Sequence, residues 1–217
     1  MNESKVAALA SGGLDSVIML AELAENSHVF PVYVESGLVW EASEKKSLDN
    51  FLGSFENPNI EPVTHLRVPV GPILESHWSV TGHGVPDAHA PDNDMFIPGR
   101  NILLISITAV WCSTRDVSRI AIGSLSGNPF PDATPEFFEF FGASLSAGLG
   151  HRIEIEAPFR GLNKSDLIRR NKDLPIEFSL TCAQPVDTVH CGSCNKCMER
   201  QVAFRDSGVE DRTKYSA

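Results

Sequence analysis

Four of the five cysteines stand close together in the last fifth of the sequence, at spacings suited to holding one metal ion. They are Cys182, Cys191, Cys194 and Cys197, with eight, two and two residues between neighbours. Two intervening residues let a tight turn present both thiolates to the same ion, and four thiolates fill a closed tetrahedral zinc site. The pattern predicts a structural zinc ion, with an iron–sulfur cluster and buried unligated thiols as the alternatives.

The remaining cysteine and a neighbouring histidine have simpler interpretations. Cys112 lies within an apolar helical stretch and is expected to be a small core residue. His190 could replace one sulfur ligand, although a position at the rim of the site suits it better. In a reducing compartment, crowded cysteines indicate metal binding more than disulfides, which is consistent with a cytosolic protein.

A second chemical signal is the sequence SGGLDS, which connects an apolar strand to an apolar helix. The strand is predicted over 5–10, and the helix opens at Asp15 or Ser16, because apolar residues recur at helical spacing over 17–23. Two glycines leave the loop amides unshielded and the helix dipole adds to them, so the loop suits an anion. The lysine of a nucleoside-triphosphate P-loop and the third glycine of a dinucleotide fingerprint are both absent. The candidate contacts are Ser11, Gly12, Gly13, Leu14, Asp15 and Ser16.

Alternating strand and helix patterns must position these groups. Further strands are predicted over 28–35, 64–70, 118–123 and 151–157. Helices are predicted over 42–52 and 101–112, from Thr134-Pro135-Glu136, and from a cap at 163–166. Residues 71–97 lack periodicity and are expected to form a long functional loop. The alternation predicts an α/β fold with a doubly wound, mostly parallel five-stranded sheet.

Ligands in such sheets bind beyond the carboxyl ends of the strands. Three segments reach that edge: the SGGLDS loop after the first strand, Glu35-Ser36 after the second, and 123–132 after the fourth. Topology alone therefore brings them together, and we expect one site there.

Composition and charge narrow the class of protein. A chain of 217 residues with 42% hydrophobic and 21% charged residues is long enough for one well-formed core. The net charge of −10 argues against an extensive nucleic-acid-binding surface. No apolar run approaches the roughly 20 residues of a membrane span. Because a strand is predicted from residue 5, no signal peptide is expected, and the predicted location is the cytoplasm.

Several motifs together resemble one enzyme family. SGGLDS at 11–16 is similar to the pyrophosphatase loop of N-type ATP pyrophosphatases, the PP-loop superfamily. IPGRN at 97–101, FPDATPEFF at 130–138, LNKSDL at 162–167 and CGSCNKCMERQVAF at 191–204 resemble 7-cyano-7-deazaguanine synthase, in the same order and over nearly the full length. SGGLDS alone specifies only the superfamily, whereas the other motifs are much narrower.

The resemblance implies an adenine nucleotide alpha hydrolase-like fold. An ATP pyrophosphatase-type domain would span 1–175, and a zinc-binding C-terminal region over 176–217 would pack on it. The implied reaction converts 7-carboxy-7-deazaguanine and ammonia to 7-cyano-7-deazaguanine through an acyl-adenylate, in queuosine or archaeosine biosynthesis. The implied cofactors are ATP with Mg²⁺ and structural zinc, and the implied assembly is a homodimer.

The resemblance also suggests roles for individual residues. Glu35 and Ser36 would join residues 11–16 in contacting ATP. Asp15 would hold Mg²⁺ against the phosphates, and Lys164 would meet the charge that develops on them. Arg100 would bind a phosphate or the substrate carboxylate. The alternatives are a solvated Lys164 and an Arg100 held in an ion pair.

The candidates for the substrate pocket are Asp132, Phe130, Glu136 and Trp78. The Asp132 carboxylate could accept hydrogen bonds from the two adjacent donors of a guanine-like edge. Phe130 or Trp78 could cover the face of the ring. Alternatively, Asp132 belongs to the N-cap region of the helix that starts at Thr134-Pro135.

Rival functions remain because the sequence departs from the family pattern over 123–130 and 179–182. One rival is a divergent adenylating enzyme that activates another carboxylate for a different nucleophile. Another is a non-catalytic nucleotide-binding zinc protein, against which Asp15 and Lys164 argue. A tRNA-thiolating relative is disfavoured by the net charge of −10. The phenylalanines within 137–141 are either core residues or a dimer contact.

Overall fold

Five parallel strands form the single sheet of this protein, which a computed structural model describes over residues 4–216. The strands are β1 (Lys5–Leu9), β2 (His28–Glu35), β3 (Thr64–Arg67), β4 (Arg119–Ala121) and β5 (Glu154–Glu156). Their order across the sheet is β3-β2-β1-β4-β5, and every pairing is parallel. The predicted doubly wound five-stranded sheet is confirmed, although β3, β4 and β5 are shorter than predicted.

Eight helices connect and cover the strands in the described part of the chain. They are α1 (Leu14–Ala24), α2 (Glu41–Ser54), α3 (Gly71–Leu74), α4 (Trp78–Thr81), α5 (Arg100–Ser113), α6 (Pro135–Leu149), α7 (Lys164–Arg170) and α8 (Asn195–Ser207). Short 3-10 turns occupy Asp92–Met95, Pro131–Ala133 and Ile176–Phe178. Residues 71–97, which we expected to lack regular structure, contain α3, α4 and the first of these turns. Among residues 4–216, no helix has both the length and the apolar character needed to cross a membrane.

Both faces of the central strand β1 are buried, as its unbroken apolar sequence predicts. Val6 and Ala8 pack with α1 and α2 on one face. Ala7 and Leu9 pack with α5 and α6 on the other face, because successive side chains of a strand point to opposite sides. Chain order reverses at β1, between β2 and β4, and this reversal opens a crevice at the carboxyl ends of these strands.

The C-terminal region shares the core of the α/β unit. Ile176, Ala203 and Phe204 belong to the same buried cluster as Leu14 and other residues of α1. Residues 176–207 are therefore packed into the structure that positions the SGGLDS loop.

Side chains cap the starts of α6 and α7, whereas α5 starts at Arg100, so Asn101 lies in its first turn and does not cap it. Asn163 caps α7 and accepts a hydrogen bond from the Asp166 amide at 2.8 Å, as predicted. Thr134 caps α6 by accepting from the Phe137 amide at 3.1 Å. Asp132, the alternative cap of that helix, instead accepts from the Asn101 amide at 3.0 Å, in the first turn of α5. Its carboxylate reaches α5 because the turn at Pro131–Ala133 packs against that helix.

Candidate functional site

A cavity of about 430 Å³ opens at the carboxyl ends of β1, β2 and β4, where the strand order reverses. The three predicted segments contribute to its wall, together with the starts of α5 and α7 and part of α8. The predicted site residues that line it are Ser11, Gly13, Leu14, Asp15, Ser16, Ser36, Trp78, Arg100, Phe130 and Lys164. Topology therefore places most of the predicted groups around one cavity.

The SGGLDS loop is held open by its own hydroxyls and by a close approach to α2. Ser16 Oγ donates to the Gly13 carbonyl at 2.9 Å and accepts from the Ser11 amide at 3.3 Å. Gly12 has a φ of 74°, and a Cβ there would lie 2.5 Å from the Glu44 carbonyl oxygen. Only glycine fits this position without strain, because other residues disfavour positive φ and would overlap with α2. Gly12 thus shapes the loop without lining the cavity.

Two carboxylates and two lysines form a connected group at the loop end of the cavity. Lys164 Nζ lies 3.6 Å from Asp15 Oδ2 and 2.7 Å from Glu199 Oε1. The Lys196 ammonium donates to Glu199 Oε2 at 2.8 Å. The side chain of Lys164 is 11% exposed, so it is buried and ion-paired, and the alternative of a solvated lysine is wrong.

Burial and charge set the protonation of this group. Burial raises the pKa of Asp15 even though Lys164 opposes the shift. Burial would lower the pKa of Lys164, but the charges of Asp15 and Glu199 outweigh it and the pKa is raised. Burial likewise opposes ionisation of Glu199, yet the two lysines bring its pKa down to about 2. Lys164 and Glu199 therefore form the stronger ion pair, while Asp15 Oδ1 is buried without a partner among the described residues.

Aromatic and ionisable side chains also line the cavity. Trp78 stacks on Trp40, with ring centroids 5.5 Å apart and planes 28° apart. The Tyr33 hydroxyl donates to Glu44 Oε2 at 2.9 Å. Burial raises the pKa of Glu44 to about 7, although Arg100 and the Tyr33 hydroxyl act in the opposite direction. Sequence reasoning missed Trp40, Tyr33 and Glu44; the position of Tyr33 at the end of a strand that leads into the site was the available signal.

Besides Gly12, three of the residues predicted to contact ATP or the substrate lie outside the cavity lining. Glu35 is paired with Lys45 at 3.1 Å and Arg67 at 2.9 Å. Asp132 is buried with its carboxylate bonded to Asn101. Glu136 is exposed in the first turn of α6. The structure therefore does not bring these three carboxylates together with the SGGLDS loop.

The four C-terminal cysteines form a compact cluster beside the same cavity. Their four Sγ atoms all lie within 4.8 Å of one another, so the cysteines could hold a metal ion. Cys182 Sγ accepts hydrogen bonds from the amides of Cys191 at 3.2 Å and Gln184 at 3.3 Å. Hydrogen bonds from the Cys182 and Cys197 thiols lower the pKa of Cys194.

His190 and Cys112 are not part of the cysteine cluster. His190 Nε2 accepts from the Thr181 amide at 3.1 Å, so this histidine supports the preceding backbone and is not one of the clustered ligands. Cys112 is fully buried in the core, as expected.

A protein-family model and individual relatives of known name both match this chain over most of its length. The family model described as Queuosine biosynthesis protein QueC matches residues 5–208. A 7-cyano-7-deazaguanine synthase of Methanococcus maripaludis (strain C5) is 30% identical over 235 aligned positions, covering 97% of this chain and 98% of that protein. A 7-cyano-7-deazaguanine synthase of Porphyromonas gingivalis is 27% identical over 218 positions, covering 95% of each chain.

Solved structures share the fold at low sequence identity. The U34-tRNA thiolase NcsA from Methanococcus maripaludis, solved with its [4Fe-4S] cluster, aligns with a TM-score of 0.54 and 14% identity, covering 95% of this chain and 68% of that one. This likeness shows the α/β fold alone. The match of the family model to nearly the whole chain shows that the protein belongs to the QueC family of queuosine biosynthesis proteins.

Proposed function

We propose that this protein is an ATP-dependent ligase that converts 7-carboxy-7-deazaguanine and ammonia to 7-cyano-7-deazaguanine. The observation that carries the proposal is the single cavity lined both by the SGGLDS loop and Lys164 and by Trp78, Phe130 and Arg100. The loop and Lys164 suit the phosphates of a nucleotide, and the aromatic side chains with Arg100 suit a planar ring with a negative charge. The relatives from Methanococcus maripaludis and Porphyromonas gingivalis are 7-cyano-7-deazaguanine synthases, which supports the same reaction.

The reaction proceeds in two activation steps. A carboxylate oxygen of the substrate attacks the α-phosphate of ATP, the bond to the β-phosphate breaks, and pyrophosphate leaves to give an acyl-adenylate. Ammonia attacks the acyl carbon and displaces AMP, losing one proton and leaving the amide. The amide oxygen then attacks a second ATP, again releasing pyrophosphate. Loss of AMP breaks the C–O bond, and the nitrogen gives up its two protons, so that one nitrile is formed for every two ATP molecules.

Pyrophosphate is a leaving group that needs hydrogen-bond donors and positive charge. The amides of the SGGLDS loop and the Ser11 hydroxyl supply the donors. Lys164 supplies the charge, since its ammonium has three donors and its hydrogen bond to Glu199 uses one of them. Asp15 Oδ1, which has no partner within residues 4–216, is the oxygen that would hold Mg²⁺; a bound Mg²⁺ neutralises charge on the phosphates.

The aromatic side chains of the cavity are assigned to the deazapurine. Trp78, supported by its stacking on Trp40, and Phe130 cover the ring. Arg100, at the start of α5, faces the cavity and binds the substrate carboxylate or a phosphate. Because its carboxylate is bonded to Asn101, Asp132 is assigned to fixing the first turn of α5.

The cysteine cluster is assigned to one structural zinc ion. Two sulfurs that are each about 2.3 Å from one tetrahedral zinc ion lie about 3.8 Å apart. Cys191 Sγ and Cys197 Sγ lie 3.8 Å apart. In a [4Fe–4S] cluster each cysteine binds a different iron, which spreads the sulfurs more widely than around a single ion. The compact arrangement therefore favours zinc, which fits the donor set of four thiolates.

A homodimer is proposed on the exposed apolar side chains of α5 and α6. Phe138 is buried in the core, whereas Phe140 is 69% exposed, and Val110 and Ile102 are also exposed. Light scattering of the purified protein tests this assembly.

The reaction is tested by incubating the protein with 7-carboxy-7-deazaguanine, ATP, Mg²⁺ and ammonium, and identifying products by mass spectrometry. We expect the nitrile, with two AMP and two pyrophosphate molecules per turnover. Asp15→Ala should release little pyrophosphate, with the loss in turnover rather than in affinity. If the wild-type protein forms no AMP with this substrate, an adenylating enzyme with another carboxylate replaces the synthase. Pyrophosphate release by Asp15→Ala at the wild-type rate would show that the loop is assigned wrongly.

A further inference from the structure

Lys164 occupies a position that the helix itself does not favour. It is the first residue of α7, where the positive end of the helix dipole repels a cation, and it is nearly buried. Two carboxylates offset these costs, and the closer is Glu199, whose Oε1 accepts from Nζ at 2.7 Å. Asp15, at 3.6 Å, is too far for a hydrogen bond. Glu199 is therefore the group that fixes where the ammonium lies.

Glu199 is itself fixed by the helix that carries it. Cys194 caps α8 and Cys197 lies in its first turn, so the cysteine cluster holds the start of the helix. Arg200, the residue after Glu199, is fully buried. Its guanidinium donates to Ser179 Oγ at 2.9 Å and to the Ile176 carbonyl at 3.0 Å. Helix α8 is thus held at the cluster and along its buried side. Lys196, the other partner of Glu199, adds a second ion pair from the same helix.

These contacts connect the cysteine cluster to the phosphate end of the cavity through one side chain. Without Glu199, the flexible side chain of Lys164 would keep only the longer contact to Asp15, which is also the proposed Mg²⁺ ligand. A lysine side chain loses rotamer entropy when it is held in one geometry. Holding it in advance leaves the remaining ammonium donors aimed at the ligand.

We propose that Glu199 is a positioning residue, held in place by the cysteine cluster, that fixes Lys164 at the phosphates of ATP. The inference rests on the proposed function, because it concerns the lysine assigned to the leaving pyrophosphate. Glu199 does not contact the reacting atoms and acts through Lys164.

The test is Glu199→Gln in the metal-loaded enzyme, with metal content and melting temperature measured alongside. We expect kcat to fall by about 10- to 100-fold, as for a slightly misplaced catalytic group, with KM for the carboxylate nearly unchanged. Acetylation of Lys164 by acetic anhydride, measured by peptide mass spectrometry, should rise several-fold because the amine loses its ion-pair partner. Asp206→Asn is the matched control: it removes an exposed charge from the same helix and should leave kcat and labelling unchanged.

Wild-type kcat and labelling in Glu199→Gln would overturn the proposal. If Lys164→Met abolishes turnover at the same time, the proposed function stands and only the role of Glu199 fails. If Glu199→Gln loses metal or melts early, Glu199→Asp carries the test because it keeps the charge. If kcat of Glu199→Asp is above that of Glu199→Gln, the charge at this position holds Lys164 in place. If kcat of Glu199→Asp is equal or lower, the proposal is overturned.

Discussion

The backbone amide of Leu180 donates a hydrogen bond to the carbonyl oxygen of Gly12 at 2.8 Å. This bond joins the segment before α8 directly to the SGGLDS loop. On its other side, Gly12 packs against the Glu44 carbonyl of α2. The loop is therefore held between two parts of the chain that lie far from it in sequence, and its shape depends on both.

Gly12→Ala should destabilise the protein. The positive φ alone costs an alanine about 1 kcal/mol, and the new Cβ would overlap with the Glu44 carbonyl, so we expect a loss of at least about 2 kcal/mol in urea unfolding. Gly13→Ala is the control, because the φ of Gly13 is −71° and its nearest contact would be the Ser11 hydroxyl at 3.2 Å. It should unfold close to wild type. Equal stabilities for the two variants would contradict this account of the loop.

Gly13→Val tests the phosphate role of the same loop. Its branched side chain would cover the amides that face the cavity, so ATP binding should be lost while the fold is largely retained. Isothermal titration with ATP, together with a melting curve, measures both. Wild-type affinity for ATP in a folded Gly13→Val protein would mean that phosphate lies elsewhere.

Cys194→Ser should remove the metal ion and destabilise the whole chain. Metal binding at such a site contributes to the free energy of folding, and α8 shares its core with α1. We expect elemental analysis to show one zinc ion per wild-type chain and much less in the variant, with a melting temperature several degrees lower. Cys112→Ala is the control, since this buried cysteine lies in another cluster and its loss should leave the zinc content unchanged. A zinc-free wild-type protein would refute the assignment.

Glu44 should make stability depend on pH. Its pKa is raised from 4.5 to about 7 in the folded protein, so the folded state holds the proton more tightly than the unfolded state. This contribution is fully present below pH 4.5 and is lost as pH rises to 7, by an amount on the order of 3 kcal/mol. The ionisable groups facing Glu44 are Tyr33 from β2, Glu41 from α2 and Arg100 from α5.

The comparison is between wild type and Glu44→Gln in urea unfolding at a series of pH values. Between pH 4.5 and 7 the wild type should lose stability relative to the variant, and above pH 7 the difference should stay constant. Parallel stability curves across this range would show that Glu44 titrates normally.

Asp132→Ala separates a structural role from substrate recognition. The substitution leaves the partly buried amide of Asn101 without its acceptor, so we expect a loss of about 1–3 kcal/mol in stability. The folded variant should keep its affinity for 7-carboxy-7-deazaguanine. Glu136→Ala, an exposed carboxylate of the neighbouring helix, should change neither property. Lost affinity with unchanged melting would instead assign Asp132 to the substrate.

Local sequence patterns predicted the elements of this fold well and their ends less well. Apolar runs of the β1 type identify strands buried on both faces, and capping residues such as Asn163 mark helix starts. Strands β4 and β5 are three residues each, about half the predicted length. A strand ends where the adjacent strand stops pairing with it. The sequence of the strand itself therefore does not determine its length.

The site shows the same division between local and distant information. The SGGLDS loop and the cysteines are recognisable because their residues are close in sequence. Glu199 and Glu44 were not predicted, because their roles depend on partners 35 and 11 residues away in the chain. Asp132, a predicted substrate contact, lies outside the cavity lining for a related reason: its carboxylate accepts a hydrogen bond from the amide of Asn101, 31 residues earlier.

The bond between Leu180 and Gly12 also bears on how the protein is made. Residues 11–16 leave the ribosome well before 164–200, which supply Lys164, Glu199 and the cysteines. A nascent chain therefore exposes a glycine-rich loop whose supporting wall has yet to be synthesised. The proposed nucleotide site is complete only late in translation, and products that stop before residue 164 would carry the loop without Lys164.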